Sequence, residues 1–169
     1  ALQDAAGQAD CIITSGGVSV GEEDHVKRQV ERLGQLDLWK LAIKPGKPLA
    51  FGRVGATPFI GLPGNPSSVY VTFNLLARPF LLQMQGVTEP GPPTLTARAA
   101  FSTRRPGGRQ EYLRVTVERQ GGELHAHRFP NQGSGVLSSV SHSNALAVVP
   151  PGVVVEEGVA VEVILLDLL

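Results

Sequence analysis

Residues 39–52 read WKLAIKPGKPLAFG, and residues 59–66 read FIGLPGNP. Strand-like runs at 38–43 and 49–51 flank the first Pro-Gly loop, and a third at 58–60 leads into the second, with Gly55 as the turn between them. The loop Lys44-Pro45-Gly46-Lys47-Pro48 sets two ammonium groups three residues apart on a segment whose prolines fix φ and remove backbone donors. A stiff cationic loop suits an anion better than a core. The second loop, Gly61-Leu62-Pro63-Gly64-Asn65-Pro66, ends with Asn at an N-cap position and Pro at the first helical position. The helix after it is expected to aim the free N–H groups of Ser67 and Ser68 back at the loop, from a terminus that carries about half a positive charge. Two anion-attracting features are therefore expected close together.

The use of basic residues points the same way. The chain has eleven Arg and four Lys, and the four are Lys27, Lys40, Lys44 and Lys47. Such clustering fits a need for compact point charges in this window, and solvated surface lysines are the alternative. Elsewhere the charge is balanced, fifteen basic against fifteen acidic residues, and it is balanced within each half. A nucleic-acid or membrane surface is not expected from such a pattern.

Upstream of the paired loops, residues 10–14 read as a short buried strand that runs into Ser15-Gly16-Gly17-Val18-Ser19-Val20-Gly21. A small-residue loop at the carboxyl end of a strand is where open α/β sheets place ligands, and a plain tight turn is the other reading. Its spacing fits neither the dinucleotide fingerprint nor the P-loop. Residues 22–33 read as a helix with Val26, Val30 and Leu33 on one face and Gly34 just past its end. Asp24 in its first turn either complements the helix dipole or binds a cation beside the Gly loop. Trp39 is expected in the core rather than stacked on a ligand. From 66 to 84 the apolar positions keep helical spacing, with Pro79 expected to kink the last part.

At 86–93 the composition shifts to Gly and Pro, which marks a linker. Beyond it, short β-type runs at 94–101, 111–119, 123–129, 145–149 and 159–166 suit a small barrel or sandwich. Arg109 and Arg114 flank the entry to one strand, either as an anion pair or as a solvated edge. The loop Asn131-Gln132-Gly133-Ser134-Gly135 is either an oxyanion cradle or a hairpin turn. At 42% hydrophobic content the chain holds a real core. Cys11 is the only cysteine and is expected buried in its strand, which fits a reducing compartment. The four histidines lack partners at metal spacing. No apolar run approaches the roughly 18 residues of a membrane span. The chain opens in what reads as the end of a helix, without a leader, so a piece of a longer protein is expected.

Taken in order, several motifs resemble the MoeA/gephyrin family of molybdopterin molybdenumtransferases. They are TSGGVSVG at 14–21 with Glu22, Asp24 and Lys27, the two Pro-Gly loops, the Arg114 strand, and NQGSGVLSS at 131–139 with Ser143-Asn144-Ala145. The resemblance implies a three-layer α/β sandwich like that of the molybdopterin adenylyltransferases, lacking its N-terminal part and spanning 1–88, and then a small all-β barrel at 89–169. It implies insertion of molybdate into adenylyl-molybdopterin with release of AMP. Thr14, Ser15, Gly16, Gly17, Ser19 and Gly21 would bind the phosphate region of the adenylated pterin, with Gly64 and Asn65 beside them, and Asp24 would hold Mg²⁺. Lys40, Lys44, Pro63 and Pro66 match family site positions. Molybdate would be held by Lys44, Lys47, the backbone near Pro48, Arg114 and Ser134. A cytoplasmic homodimer is implied for the full-length protein, with further N-terminal domains and contact with the enzyme of the preceding step. A gephyrin-like scaffold is the alternative from another class. A molybdopterin adenylyltransferase is a third reading, against which the trailing β domain argues.

Overall fold

The computed structural model describes residues 1–17 and 25–166, apart from the side chains of Leu38 and Trp39. The expectations for Ser19, Gly21, Asp24 and the Trp39 side chain lie outside what is described. In chain order the first elements are α1 (Leu2–Ala6), β1 (Ile12–Ser15), α2 (His25–Leu33) and β2 (Gly34–Lys40). They are followed by β3 (Ile43–Lys44), β4 (Pro48–Val54), β5 (Thr57–Leu62) and α3 (Pro66–Thr72).

Four of these strands form a sheet in the order β1-β5-β4-β2, with β1 parallel to β5 and the other neighbours antiparallel. The strand period of two divides its residues between two cores. On one face Ile12, Ala50, Val54 and Phe59 pack with Val30 and the apolar sides of α1 and α2. On the other, Leu49, Ile60 and Leu62 pack with Ala77, Phe73 and Phe80 of the helical segment after β5. Three layers result, as expected. Ile13 stays 38% exposed because β1 is the sheet edge among the described residues, so residues 10–14 are not a wholly buried strand. Cys11 precedes the strand and is half-buried, and burial pushes its thiol pKa up.

Gly34 corrects the reading of it as a helix C-cap. It opens β2 opposite Val54, and a Cβ there would run into the Arg53 carbonyl. Close strand approach, not a left-handed cap, requires glycine at this position. The helix expected over 66–84 comes in three parts: α3, a π turn over Phe73–Ala77, and α4 (Arg78–Met84). Pro79 has no N–H to continue the i→i−4 ladder, and the chain widens just before it. The Asn74 amide reaches back 2.9 Å to the Tyr70 carbonyl.

The remaining elements are β6 (Thr94–Ala99), β7 (Gln110–Gln120), β8 (Glu123–Arg128), α5 (Ser138–Ser141), β9 (Ala145–Val149) and β10 (Ala160–Leu165). Strands β7-β8-β6-β10-β9 close into a five-stranded barrel through the β7–β9 pairing. Its interior is filled by Ala97, Ala99, Leu113, Val115, Ala126, Ala145, Ala147 and Val163. The barrel sheet takes in a piece of the first half: β3, from the KPGKP region, pairs parallel to β7, with Lys44 opposite Glu111. The outward-facing Leu146 and Ile164 are buried against Val71 of α3. Among the described residues no helix is long and apolar enough to cross a membrane.

Candidate anion site

Three loops gather around α3. At the carboxyl ends of parallel β1 and β5, the Gly16 N–H donates to the carbonyls of Leu62 (2.9 Å) and Pro63 (3.3 Å). Gly16 and Gly17 hold φ of +77° and +70°, a region that side chains other than glycine seldom adopt. A Cβ on Gly16 would sit 3.8 Å from the Gly64 Cα, so the two glycine loops lie backbone to backbone. The Thr14 Oγ1, at the end of β1, is buried with no hydrogen-bond partner among the described residues.

The KPGKP loop leans on the side of α3. Pro45 and Gly46 are buried, whereas Lys47 is exposed. Gly46 has φ +109°, and a Cβ there would come within 2.5 Å of the Thr72 Cγ2. Thr72 cannot swing away freely, because its hydroxyl donates to the Ser68 carbonyl at 2.7 Å. Gly46→Ala is expected to cost about 2 kcal/mol through strain and overpacking, measured as a shift in the urea midpoint. Lys44 projects from β3 with its side chain 52% exposed and its Nζ 3.1 Å from Glu111 Oε1. Arg109 donates to the Ile43 carbonyl at 3.1 Å and pins the strand that carries Lys44. Lys40 is exposed at the end of β2, opposite Pro48.

The start of α3 departs from the expectation of an open anion-binding terminus. Asn65 is the N-cap and Pro66 the first helical residue, but the Asn65 side chain does not cap the helix. Its amide donates instead to Ser134 Oγ at 3.1 Å. The Ser67 N–H, expected free, donates to the Ser134 carbonyl at 3.0 Å, and Ser67 is 0% exposed. This terminus docks on the barrel, and the docking loop supplies the acceptor that an anion would have supplied.

That loop is held by Arg114. The residue faces outward from the barrel on β7, yet is only 1% exposed because α3 and the 131–139 segment cover it. Its guanidinium donates to Ser139 Oγ (3.1 Å), the Gly133 carbonyl (3.3 Å) and the Tyr112 carbonyl (3.4 Å). Burial, with the Arg128 charge adding to it, pushes its pKa down to about 10. Gln132 clamps the Arg114 backbone, accepting from its N–H and donating to its carbonyl, each at 2.9 Å. Asn131 Oδ1 accepts from the Gly133 N–H at 3.0 Å. Asn131, Gln132 and the Gly133 N–H are thus engaged within the protein, whereas Ser134 Oγ accepts from Asn65 and keeps its own O–H to donate, and the Arg109–Arg114 pair is not a solvated strand edge.

Sequence reading missed three features. Ser67 and Ser139 link Arg114 to α3, with Ser67 Oγ donating to the Val136 carbonyl at 2.9 Å and lying 3.3 Å from Ser139 Oγ. The Lys44–Glu111 pair is the second, although the acid that directly follows Arg109-Gln110 at the start of the same strand is a visible candidate counter-ion. A cavity of about 570 Å³ opens beside Lys44 and is also lined by Arg104, Arg105 and Arg128; the Arg doublet before Pro106-Gly107 was its only signal. Among the described residues no group of three or more His, Cys, Asp or Glu could hold a metal ion, and the magnesium expectation rests on Asp24 alone.

Two matches define the class of protein. Residues 1–83 match the family described as "Probable molybdopterin binding domain", and residues 96–166 match "MoeA C-terminal region (domain IV)". The chain belongs to the MoeA family. It is 42% identical over 147 residues to the molybdopterin molybdenumtransferase of Haemophilus influenzae, covering 85% of this chain and 36% of that protein. It is 35% identical over 155 residues to molybdopterin molybdenumtransferase 2 of Mycobacterium tuberculosis, covering 86% of this chain and 37% of that protein. The solved MoeA protein of Pyrococcus horikosii superposes with a TM-score of 0.77 at 30% identity, over 96% of this chain and 39% of that one. The chain thus spans little more than a third of the length of these relatives.

Proposed function

We propose that this chain is the anion-handling part of a molybdopterin molybdenumtransferase, which inserts molybdate into adenylyl-molybdopterin and releases AMP. The observation that carries the reading is the gathering of the KPGKP, GLPGNP and Ser134 loops on α3, within a chain of the MoeA family. Molybdate is a tetrahedral dianion, and its binding needs several cationic or N–H donors converging from stiff backbone. Lys44, Lys47, the backbone at Pro48 and Ser134 are assigned to it. Arg114 is assigned a positioning role, since its guanidinium is spent on Ser139, Gly133 and Tyr112. Thr14 to Gly17, with Ser19, Gly21, Gly64 and Asn65, is assigned to the phosphate region of the pterin. Lys40, Pro63 and Pro66 shape the same cleft. None of these groups acts as a nucleophile: fixed positive charge stabilises the negative charge that develops on the leaving phosphate. The magnesium assigned to Asp24 lies outside the described residues, and no step depends on it here. Division at 88/89, a cytoplasmic location, a homodimer and contact with the preceding enzyme complete the proposal.

The test is molybdate-dependent AMP release from adenylyl-molybdopterin, comparing this chain with a chain of the relatives' full length that contains it. Release from the longer chain supports the enzyme, and no release from either folded protein overturns it in favour of a scaffold. Lys44→Ala is expected to weaken molybdate binding about tenfold, as a charge-assisted contact is lost. Stability should change by less than about 1 kcal/mol, since the Lys44 side chain is half exposed and water can take its place beside Glu111. Molybdate binding as tight as in the unaltered chain would remove this loop from the site.

A further inference from the structure

The cavity beside Lys44 holds three arginines that the molybdate assignment does not use. Its walls bring Lys44, Arg104, Arg105 and Arg128 to one concave space of about 570 Å³, with Glu111 the only acidic lining residue among those described. Glu111 is already paired with Lys44 at 3.1 Å. Among the described residues the three guanidiniums have no carboxylate partner at ion-pair distance. Like charges held together in a concavity raise each other's energy unless an anion joins them. The Arg128 charge is felt as far as the buried Arg114, whose pKa it helps to push down.

The wall is also anchored. Ser102 Oγ accepts from the Glu157 N–H at 3.1 Å, and Thr103 Oγ1 accepts from the Val155 N–H at 2.9 Å. A second bond, from the Thr103 N–H to the Val155 carbonyl at 2.8 Å, fixes the same segment to the barrel rim. Each hydroxyl keeps its own O–H to donate. The arginine doublet therefore rises from a fixed base and not from a loose loop tip.

We propose that this cavity is a phosphate-class anion site, separate from the molybdate contacts on Lys47 and Ser134, that takes a diphosphate or a phosphate ester of small size. Guanidinium forks match the oxygens of a tetrahedral phosphate two at a time, which point-charge lysines do not. The volume exceeds that of one bare oxyanion, and three forks offer charge for a second phosphoryl group. An extended polyanion such as nucleic acid fits less well, because the chain's net charge is zero and the cations here are gathered in one concavity rather than along a stripe. The inference rests on the proposed function only for the natural carrier of the phosphate.

The test uses inorganic pyrophosphate as the probe, titrated calorimetrically into this chain at low ionic strength, where exposed charges are least screened. Saturable one-site binding is expected, weakened about tenfold in Arg128→Gln and further in Arg104→Gln/Arg105→Gln. These three residues are exposed, so folding should survive, and circular dichroism checks that it does. Arg119→Gln removes the same charge from a residue that lines a different cavity and is expected to leave affinity within twofold. Equal weakening by Arg119→Gln would reduce the effect to diffuse charge and overturn the site, as would unsaturable binding or unchanged affinity in the doublet variant. Molybdate titrated into the same variants separates the two readings: if molybdate still binds while the pyrophosphate arm fails, only this inference falls.

Discussion

Arg114→Ala is expected to cost about 3 kcal/mol of stability, from buried acceptors that lose their donor and from the volume left empty. Among the described residues Arg114 has the largest fully buried side chain. Its removal leaves Ser139 Oγ and the carbonyls of Gly133 and Tyr112 each with one fewer donor, beside an empty volume. Each unpaired buried acceptor costs about 1–3 kcal/mol. Urea unfolding followed by fluorescence would measure the loss, and a loss below about 1 kcal/mol would mean that water replaces the guanidinium readily. The pH dependence has a definite sign. Because the folded pKa is depressed to about 10, below the ordinary arginine value, burial of the charge opposes folding at every pH below about 10. That cost is relieved only as pH rises through the folded pKa. Arg114 therefore contributes no slope to stability between pH 5 and 9, and any slope found there belongs to other groups. Because Arg114 shapes the Asn131–Ser134 turn without touching solvent, Arg114→Lys should weaken molybdate binding as well as stability: the charge stays but the fork is lost.

Leu146→Ala is the second large effect, expected at about 3–4 kcal/mol from lost transfer energy and the cavity left behind. Leu146 is fully buried, but not in the barrel. Its neighbours Ala145 and Ala147 point into the barrel core, while it joins Val71 of α3 and Ile164 on the outer face. The same substitution should therefore loosen the two halves from each other. Calorimetry is expected to resolve two transitions where the unaltered chain shows one, and molybdate binding should fall because the Asn65–Ser134 contact spans that joint. A single transition with an unchanged midpoint would show that β3, threaded beside β7, holds the halves together by itself.

The two Pro-Gly loops show what could be read in advance. Gly55 was legible as a turn because the chain needs φ of +59° there and only glycine meets it without strain. Pro66 was legible as a helix start because its missing N–H costs nothing at that position. Pro79 was legible as an interruption, although not as a π turn, since sequence shows the absent donor but not which ladder replaces it. Ser67 was misread for a different reason. A helix start is local, but whether its N–H groups face a ligand or another part of the chain depends on a loop 67 residues downstream, through the Ser134 carbonyl. The burial of Arg114 is hidden for the same reason: strand alternation places it outside the barrel, where an arginine is normally solvated.

The sequence by itself determined the class of fold, most of the strands, the all-β character of the second half, the stiff cationic loop and the family, but not the break of the 38–43 run into β2 and β3. Each of these is set by local chemistry, by period, or by motifs whose residues lie together in the chain. Only the tertiary structure decided which polar groups are free. It joins β3 to the barrel, buries Arg114 beneath α3, gives the Ser67 N–H to Ser134, and sets Arg104, Arg105 and Arg128 around one cavity. Those outcomes depend on pairings between residues far apart in the chain. Docking of α3 on the barrel, driven by the burial of Val71, Leu146 and Ile164, selects among them.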